Sequence, residues 1–386
     1  MLARAALHPL PSTLDFAHCF EDLRVTHATG NPWWTWLVPA LAALALALAW
    51  GSAPAGLWLA AIGAALVGAV FAAVHHAEVV ALRMGEPFGT LVLALAITVI
   101  EVALIGSLML AGGPDAPTLA RDTVYATVMI VATGVVGLCL VVGSLRHGLS
   151  TFRVEGASQA LSVLIPLAAL ALVLPNYTTS TAGPTYSEPQ IGFIGALTLV
   201  LYAVFVFVQT VRHRDYFLPV DAERGNADTH AAPPTVPVAL ASLALLIVCL
   251  VAVVGLAKTL APWIGEAVAA AGAPPAVVGI AIALLVLLPE TVSAVRAAAA
   301  GRVQTSLNLA LGSALATIGL TVPAVGLLAV VLDLPLSLGL PPKEMMLLAV
   351  TLLVSTVTLA GGRATVLHGA VHLVLFWAFL FLAVVP

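Results

Sequence analysis

Residues 88–110 read FGTLVLALAITVIEVALIGSLML, and residues 276–295 read AVVGIAIALLVLLPETVSAV. Each run is long enough to cross a bilayer as a helix, which takes about 20 residues. Each also holds one carboxylate, Glu101 in the first and Glu290 in the second. A charge at the bilayer centre costs on the order of 3 kcal/mol on insertion scales, so such a residue is usually kept to serve an ion or proton pathway. The others of the eighteen Asp and Glu residues fall at segment ends, in loops or in tails. One such carboxylate in each half of the chain predicts a duplicated protein whose two glutamates meet at one site.

Working outward, the 386 residues are 61% hydrophobic and 8% charged, with a mean hydropathy of +1.12. Recurrent apolar runs of about 20 residues then predict an all-α polytopic membrane protein. Spans are expected at 34–52, 56–76, 88–111, 122–144, 158–175, 190–211, 236–258, 275–298, 303–331, 341–360 and 364–385. These eleven helices leave no room for a separate soluble catalytic domain. Cys19, Cys139 and Cys249 are odd in number and widely spaced, which indicates neither a disulfide framework nor a metal cluster. Residues 1–33 lack the basic start, apolar core and cleavage pattern of a signal peptide and read as a cytoplasmic tail.

The longest connection, 212–235, carries Arg212, Arg214, Asp215, Asp221, Glu223, Arg224 and Asp228 before a Pro pair. It divides the chain into the tail 1–33, an extra helix 34–52, a first five-helix repeat 56–211, the cytoplasmic loop 212–235 and a second five-helix repeat 236–386. With the N-terminus inside, only Arg121, Lys258 and Lys343 of the fourteen Lys and Arg lie outside, so the positive-inside bias predicts a cytoplasmic N-terminus and an external C-terminus. Five helices is an odd number, so two such repeats enter the membrane from opposite sides, the inverted-repeat arrangement. Gly89 precedes Glu101 by twelve residues and Gly279 precedes Glu290 by eleven, and an Arg opens the helix after each, Arg121 and Arg302.

Two glutamates can neutralise a divalent cation, and hard cations such as Ca2+ prefer oxygen ligands. A carboxylate sealed from water without a cation tends instead to hold a proton. Competition of the two at a site exposed alternately to each side is sufficient for antiport. Pro289 withholds a backbone donor just before Glu290, which predicts a helix break there and carbonyls released near residues 285 and 286. Thr98 lies three residues before Glu101 and Ser293 three after Glu290, so each shares a helical face with its carboxylate. Their hydroxyls either line the site or bond their own backbone.

In the next helix Gln304, Asn308 and Gly312 recur at a spacing of four, with Ser313 and Thr317 beside them. Asn308 and Ser313 are site candidates there, although small residues also serve tight helix packing in lipid. Thr127 and Thr133 occupy the corresponding region of the first half. His75, His76 and Glu78 cluster at the expected cytoplasmic end of the second helix, either as interfacial anchors or as a proton relay or pH sensor.

The segments GEPFGTLVLALAITVIEVALI, TLARDTVYATVMIVATGVVGLCLVVGSLRHG and LLPETVSAVRAAAAGRVQTSLNLALGSALATIGLTVPAVG resemble the bacterial calcium/proton antiporters of the ChaA group, in the cation/Ca2+ exchanger superfamily. The resemblance spans about residues 40–386. It implies a multi-pass protein of the bacterial inner membrane, with ten core helices in two inverted repeats behind one extra helix. By that resemblance Glu101 and Glu290 fall on the acidic positions where cation and proton bind, and Asn308 and Ser313 in the partner helix of the second repeat. The familiar exchangers carry Gly-Asn just upstream of the glutamate where this chain has VIE and LPE, which leaves the ion open among Ca2+, Na+ and K+. No cofactor is implied, and the expected partners are the bilayer, inorganic cations and protons, not nucleic acid. A passive cation channel with a glutamate selectivity element is the alternative. An intramembrane enzyme lacks an HExxH helix, and an ATP-driven pump lacks a GxxxxGK[ST] loop.

Overall fold

The computed structural model describes residues 31–51, 55–85, 88–112, 115–218, 233–274 and 276–385. Most of the tail and residues 219–232 of the 212–235 loop lie outside the described residues. In chain order the helical spans are α1 Trp34–Ala49, α2 Leu57–Met84, α3 Phe88–Ala111, α4 Ala116–His147, α5 Val154–Tyr177, α6 Glu188–Arg212, α7 Val236–Ala270, α8 Ala276–Ala299, α9 Val303–Val331, α10 Pro342–Ala360 and α11 Val366–Val384. Ten are long and apolar enough to cross a membrane, and α1 is a shorter apolar helix. The all-α polytopic fold read from hydropathy is therefore the fold observed. The 16 residues of α1 rise about 24 Å, short of the roughly 30 Å of hydrocarbon.

Several boundaries differ from those read off hydropathy. α2 runs to Met84 rather than 76, α7 to Ala270 rather than 258, α4 starts at 116 rather than 122, and α5 at 154 rather than 158. Apolarity marks where the chain crosses hydrocarbon, whereas a helix continues until something stops its hydrogen bonding. Here the stops are local: α2 ends on Gly85 at φ 68° and α4 on Gly148 at φ 81°, a left-handed backbone that glycine adopts without a Cβ penalty.

Large apolar side chains such as Leu95, Val200, Leu240, Leu353, Val357 and Phe381 stay exposed. They give the bundle the apolar exterior that lipid requires. Inside, the buried side chains form two clusters. One gathers residues of α1, α2, α3 and α7, including Ile62, Ile100 and Leu256. The other gathers α4, α5, α6, α9, α10 and α11, including Met129, Leu164 and Leu315. α8 serves both, with Ile282 and Val286 in the first and Ile280, Ala283, Leu287 and Ala294 in the second. α3 is likewise shared through Ala94 and Ala96, so the two glutamate helices form the seam between the clusters.

The connections sort to two ends. At one end β1 Ser150–Thr151 pairs antiparallel with β2 Arg363–Ala364, and His147 bonds the Ala299 carbonyl at 3.0 Å. At the other, Ser337 N donates to Pro117 O at 2.8 Å and Gly339 N to Pro184 O at 3.0 Å. Two helices are interrupted by π turns where the glutamate helices cross them, Ile130–Val135 in α4 and Thr317–Thr321 in α9. α8 contacts the first of these turns and α3 the second. Such turns disturb the regular hydrogen-bond ladder and concentrate at functional sites. α8 also lies backbone against backbone on α4, since a Cβ on Gly279 would meet Asp122 C and Thr123 N at 2.8 Å.

Candidate functional site

Glu101 sits in the middle of α3 and is 1% exposed. Its Oε2 accepts a hydrogen bond of 2.6 Å from Thr321 Oγ1. Thr317 and Thr321 are the first and last residues of the π turn in α9, which brings Thr321 to the carboxylate. Thr127 of α4 is buried with its hydroxyl unpartnered. Carboxylate and hydroxyl are hard oxygens of the kind that alkali and alkaline-earth cations accept.

Glu290, on α8, is 8% exposed, and both of its carboxyl oxygens are buried without a hydrogen-bond partner. Its helix packs against α3, which carries Glu101. A buried charge without donors is strongly disfavoured, so this carboxyl requires a proton or a cation to neutralise it. The two acids are therefore unlike: Glu101 accepts a hydroxyl and Glu290 has no partner. Removing the Thr321 hydroxyl tests the first arrangement. A hydrogen bond to a charged group contributes about 1.5–3 kcal/mol, so Thr321→Val is expected to weaken apparent cation affinity about tenfold or more, read as a raised half-saturating concentration in proteoliposome exchange.

α8 runs unbroken through Pro289 from Ala276 to Ala299, which corrects the helix break expected there. The missing amide costs one bond to the Leu285 carbonyl, and the flanking bonds keep the helix together, as is common for proline in membrane helices. Thr98 donates to the Ala94 carbonyl at 2.8 Å, the backbone bond that was one of its two readings. Ser293 is exposed and Ser313 half-buried.

Asn308 is drawn into a different network. Its Nδ2 donates to Phe217 O at 2.6 Å, and its Oδ1 accepts from Gln304 Nε2 at 2.8 Å. Gln304 Oε1 in turn accepts from the Arg153 amide at 2.7 Å. Asn308 Nδ2 thus holds the helical turn Arg214–Phe217 against α9, while its Oδ1 is taken up by Gln304 of the same helix. Along α9 it lies nine residues before Thr317, or about 13 Å.

The His75, His76 and Glu78 cluster is not at the end of its helix, because α2 continues to Met84. His76 is fully buried and its Nε2 donates to the Thr35 carbonyl at 2.9 Å, while the His75 ring packs 5.3 Å from that of Trp34. These histidines fasten α1 to α2. Glu78 is exposed. His372 had no signal beyond its apolar surroundings. It is fully buried, with Nδ1 2.7 Å from the Ala132 carbonyl in the π turn of α4 and Nε2 3.1 Å from Thr358 Oγ1. Thr321 could have been found by extending the Ser313 and Thr317 strip by one more step of four. Among the described residues no three His, Cys, Asp or Glu side chains come together as a metal cage.

Comparison with known proteins places this geometry in context. The family described as sodium/calcium exchanger protein matches residues 55–211 and 241–385. A protein of Sinorhizobium fredii named "Putative ionic transporter y4hA" is 48% identical over 92% of this chain and 97% of its own. The sodium-potassium/proton antiporter ChaA of Escherichia coli is 36% identical over 89% of this chain and 94% of its own. Among solved structures, native YfkE superposes with a TM-score of 0.70 at 15% identity over 92% of this chain and all of its own. The H+/Ca2+ exchanger CAX does so with a TM-score of 0.66 at 16% identity, over 90% of this chain and 88% of its own. At those identities the superpositions speak for the fold alone.

Proposed function

This chain belongs to the sodium/calcium exchanger protein family, and on that premise we propose that it is a secondary active antiporter exchanging a cytoplasmic cation for protons across a bacterial inner membrane. The family is one of transporters, not of enzymes. The single observation that carries the exchange chemistry is the pair of buried glutamates on seam helices, with Glu290 lacking any protein donor. Such a carboxyl alternates between two neutralised states, protonated and cation-bound, and does not remain bare.

Alternating access is a relative movement of the two packed clusters about α3 and α8. The seam reading is supported by the way those helices divide their side chains between both clusters. The two five-helix sets 56–211 and 236–386 are inverted repeats in this reading. Each presents its glutamate helix to the π turn of the other. Ca2+ is the favoured ion because two carboxylates, with the Thr321 hydroxyl on one of them, are hard oxygen donors with the charge to match a divalent cation. Na+ and K+ are the alternatives, and ChaA, a relative, is named for sodium and potassium.

The test is reconstitution into liposomes with an imposed pH gradient, followed by separate additions of Ca2+, Na+, K+ and Mg2+. Saturable collapse of the gradient by Ca2+ is the expected result. A response only to Na+ or K+ keeps the mechanism and changes the ion. Cation leak without proton movement would replace antiport with a passive channel.

A further inference from the structure

A second polar site lies away from the seam. At the arginine-poor end of the bundle a cavity of about 290 Å3 opens between α4, α8, α10 and α11, lined among others by Asp115, Arg121, Asp122, Tyr125, Lys343 and Glu344. The three carboxylates and two basic groups leave one formal negative charge. Asp122 accepts from Arg121 Nε at 2.8 Å and from Thr118 Oγ1 at 3.1 Å. Glu344 Oε1 pairs with Lys343 Nζ at 3.3 Å, and that ammonium also donates to the Leu382 carbonyl at 2.8 Å.

Two polar atoms of the lining are left over. Tyr125 is 5% exposed, its ring held edge-on against Phe379 with centroids 5.6 Å apart, and its Oη has no partner. Glu344 Oε2 is buried and likewise unpartnered, and Glu344 shares the lining with Asp122 and Tyr125. Buried polar atoms in native proteins are as a rule satisfied, by protein, water or ion. The volume is far above the roughly 10–15 Å3 that one water needs, so an ion with part of its hydration shell fits. Carboxylate and phenol oxygens are hard donors. With no cage of three acids closing on a common point among the described residues, and a single net charge to balance, the lining suits a monovalent ion better than a dehydrated divalent one.

We propose that this cavity is a second cation site, holding a partly hydrated alkali cation between Glu344, Tyr125 and Asp122. It is distinct from the exchange site. Ile280 is the residue of α8 nearest Glu290 in the lining, and Glu290 lies ten residues further along, about 15 Å. The bound ion bridges α10 to α4, beside the close crossing of α4 and α8 at Gly279.

Equilibrium binding of radioactive Na+ and Rb+ to the purified full-length protein tests this, in a background of Glu101→Gln with Glu290→Gln that removes the exchange carboxylates. The double variant is expected to keep one saturable monovalent-cation site per chain. Adding Glu344→Gln should lower its affinity about tenfold or more, as loss of a charged ligand does. Tyr125→Phe keeps the ring packing and should weaken binding severalfold, which guards against a misfolded Glu344 variant. A double variant with no saturable site, or with one that ignores both added substitutions, overturns the proposal and leaves the Glu101 and Glu290 reading intact. A double variant that binds as many cations as the unmodified protein, still sensitive to Glu344→Gln, supports the cavity and counts against the glutamates.

Discussion

Glu290→Gln is expected to reduce cation-driven proton movement in liposomes to background, a fall of about 100-fold or more, while the protein remains folded and inserted. The rate argument has two parts. An amide cannot carry a proton in and release it, which ends coupling outright. It also withholds a charge-assisted ligand contributing about 1.5–3 kcal/mol, or roughly 10- to 150-fold in affinity. Stability is a separate matter. The Glu290 carboxyl is already held neutral by a proton or a cation, and the isosteric amide replaces one buried group without hydrogen-bond partners by another, so the melting temperature should change little. Glu101→Gln should also abolish exchange. It differs in stability, because Glu101 accepts from Thr321, and the amide preserves only part of that bonding. Exchange at the unmodified rate in either variant would remove that glutamate from the transport site.

The second large effect is expected at Gly279. A Cβ there would lie 2.8 Å from two backbone atoms of α4, Asp122 C and Thr123 N, with Asp122 Cβ at 3.1 Å. Backbone cannot rotate away as a side-chain tip can, so α8 must separate from α4. Gly279→Ala is expected to lower stability by about 1–3 kcal/mol, the usual cost of overpacking, and Gly279→Leu to lose most of the folded yield. Exchange should fall even in the folded fraction, because the displaced helix carries Glu290. Gly312→Ala is the control. Nothing lies within 4 Å of a Cβ at Gly312, so alanine adds helix propensity of up to about 1 kcal/mol without a clash. Thermal unfolding in detergent reads both, and equal midpoints for Gly279→Ala and Gly312→Ala would mean that the close crossing does not hold.

Much of the candidate site was legible because carboxylates stand out against hydrocarbon. Glu101 and Glu290 needed no neighbours to be noticed. Glu78 was visible but misplaced, since apolarity fades near residue 76 although the helix continues to Met84. Asn308 was noticed for the same reason as the glutamates, yet its amide is engaged by Phe217 and Gln304. A mid-helix amide announces that it needs partners and not which ones. Gly312 and Gly279 look alike as letters. Only one of them meets another backbone.

Sequence alone determined the solvent of this protein, the number of helices and the two glutamates that cannot be left bare. Those follow from transfer free energies that add residue by residue along the chain, whatever the helices later touch. Tertiary structure decided which hydroxyl meets Glu101, that Glu290 has none and that α3 and α8 form the seam. It also decided where Tyr125 and Glu344 converge. Between helices in lipid there is little hydrophobic driving force to read from composition, so facing and crossing are set by close packing and interhelical hydrogen bonds. Those depend on pairs of residues far apart in the chain, such as Thr321 with Glu101 and Gly279 with Asp122.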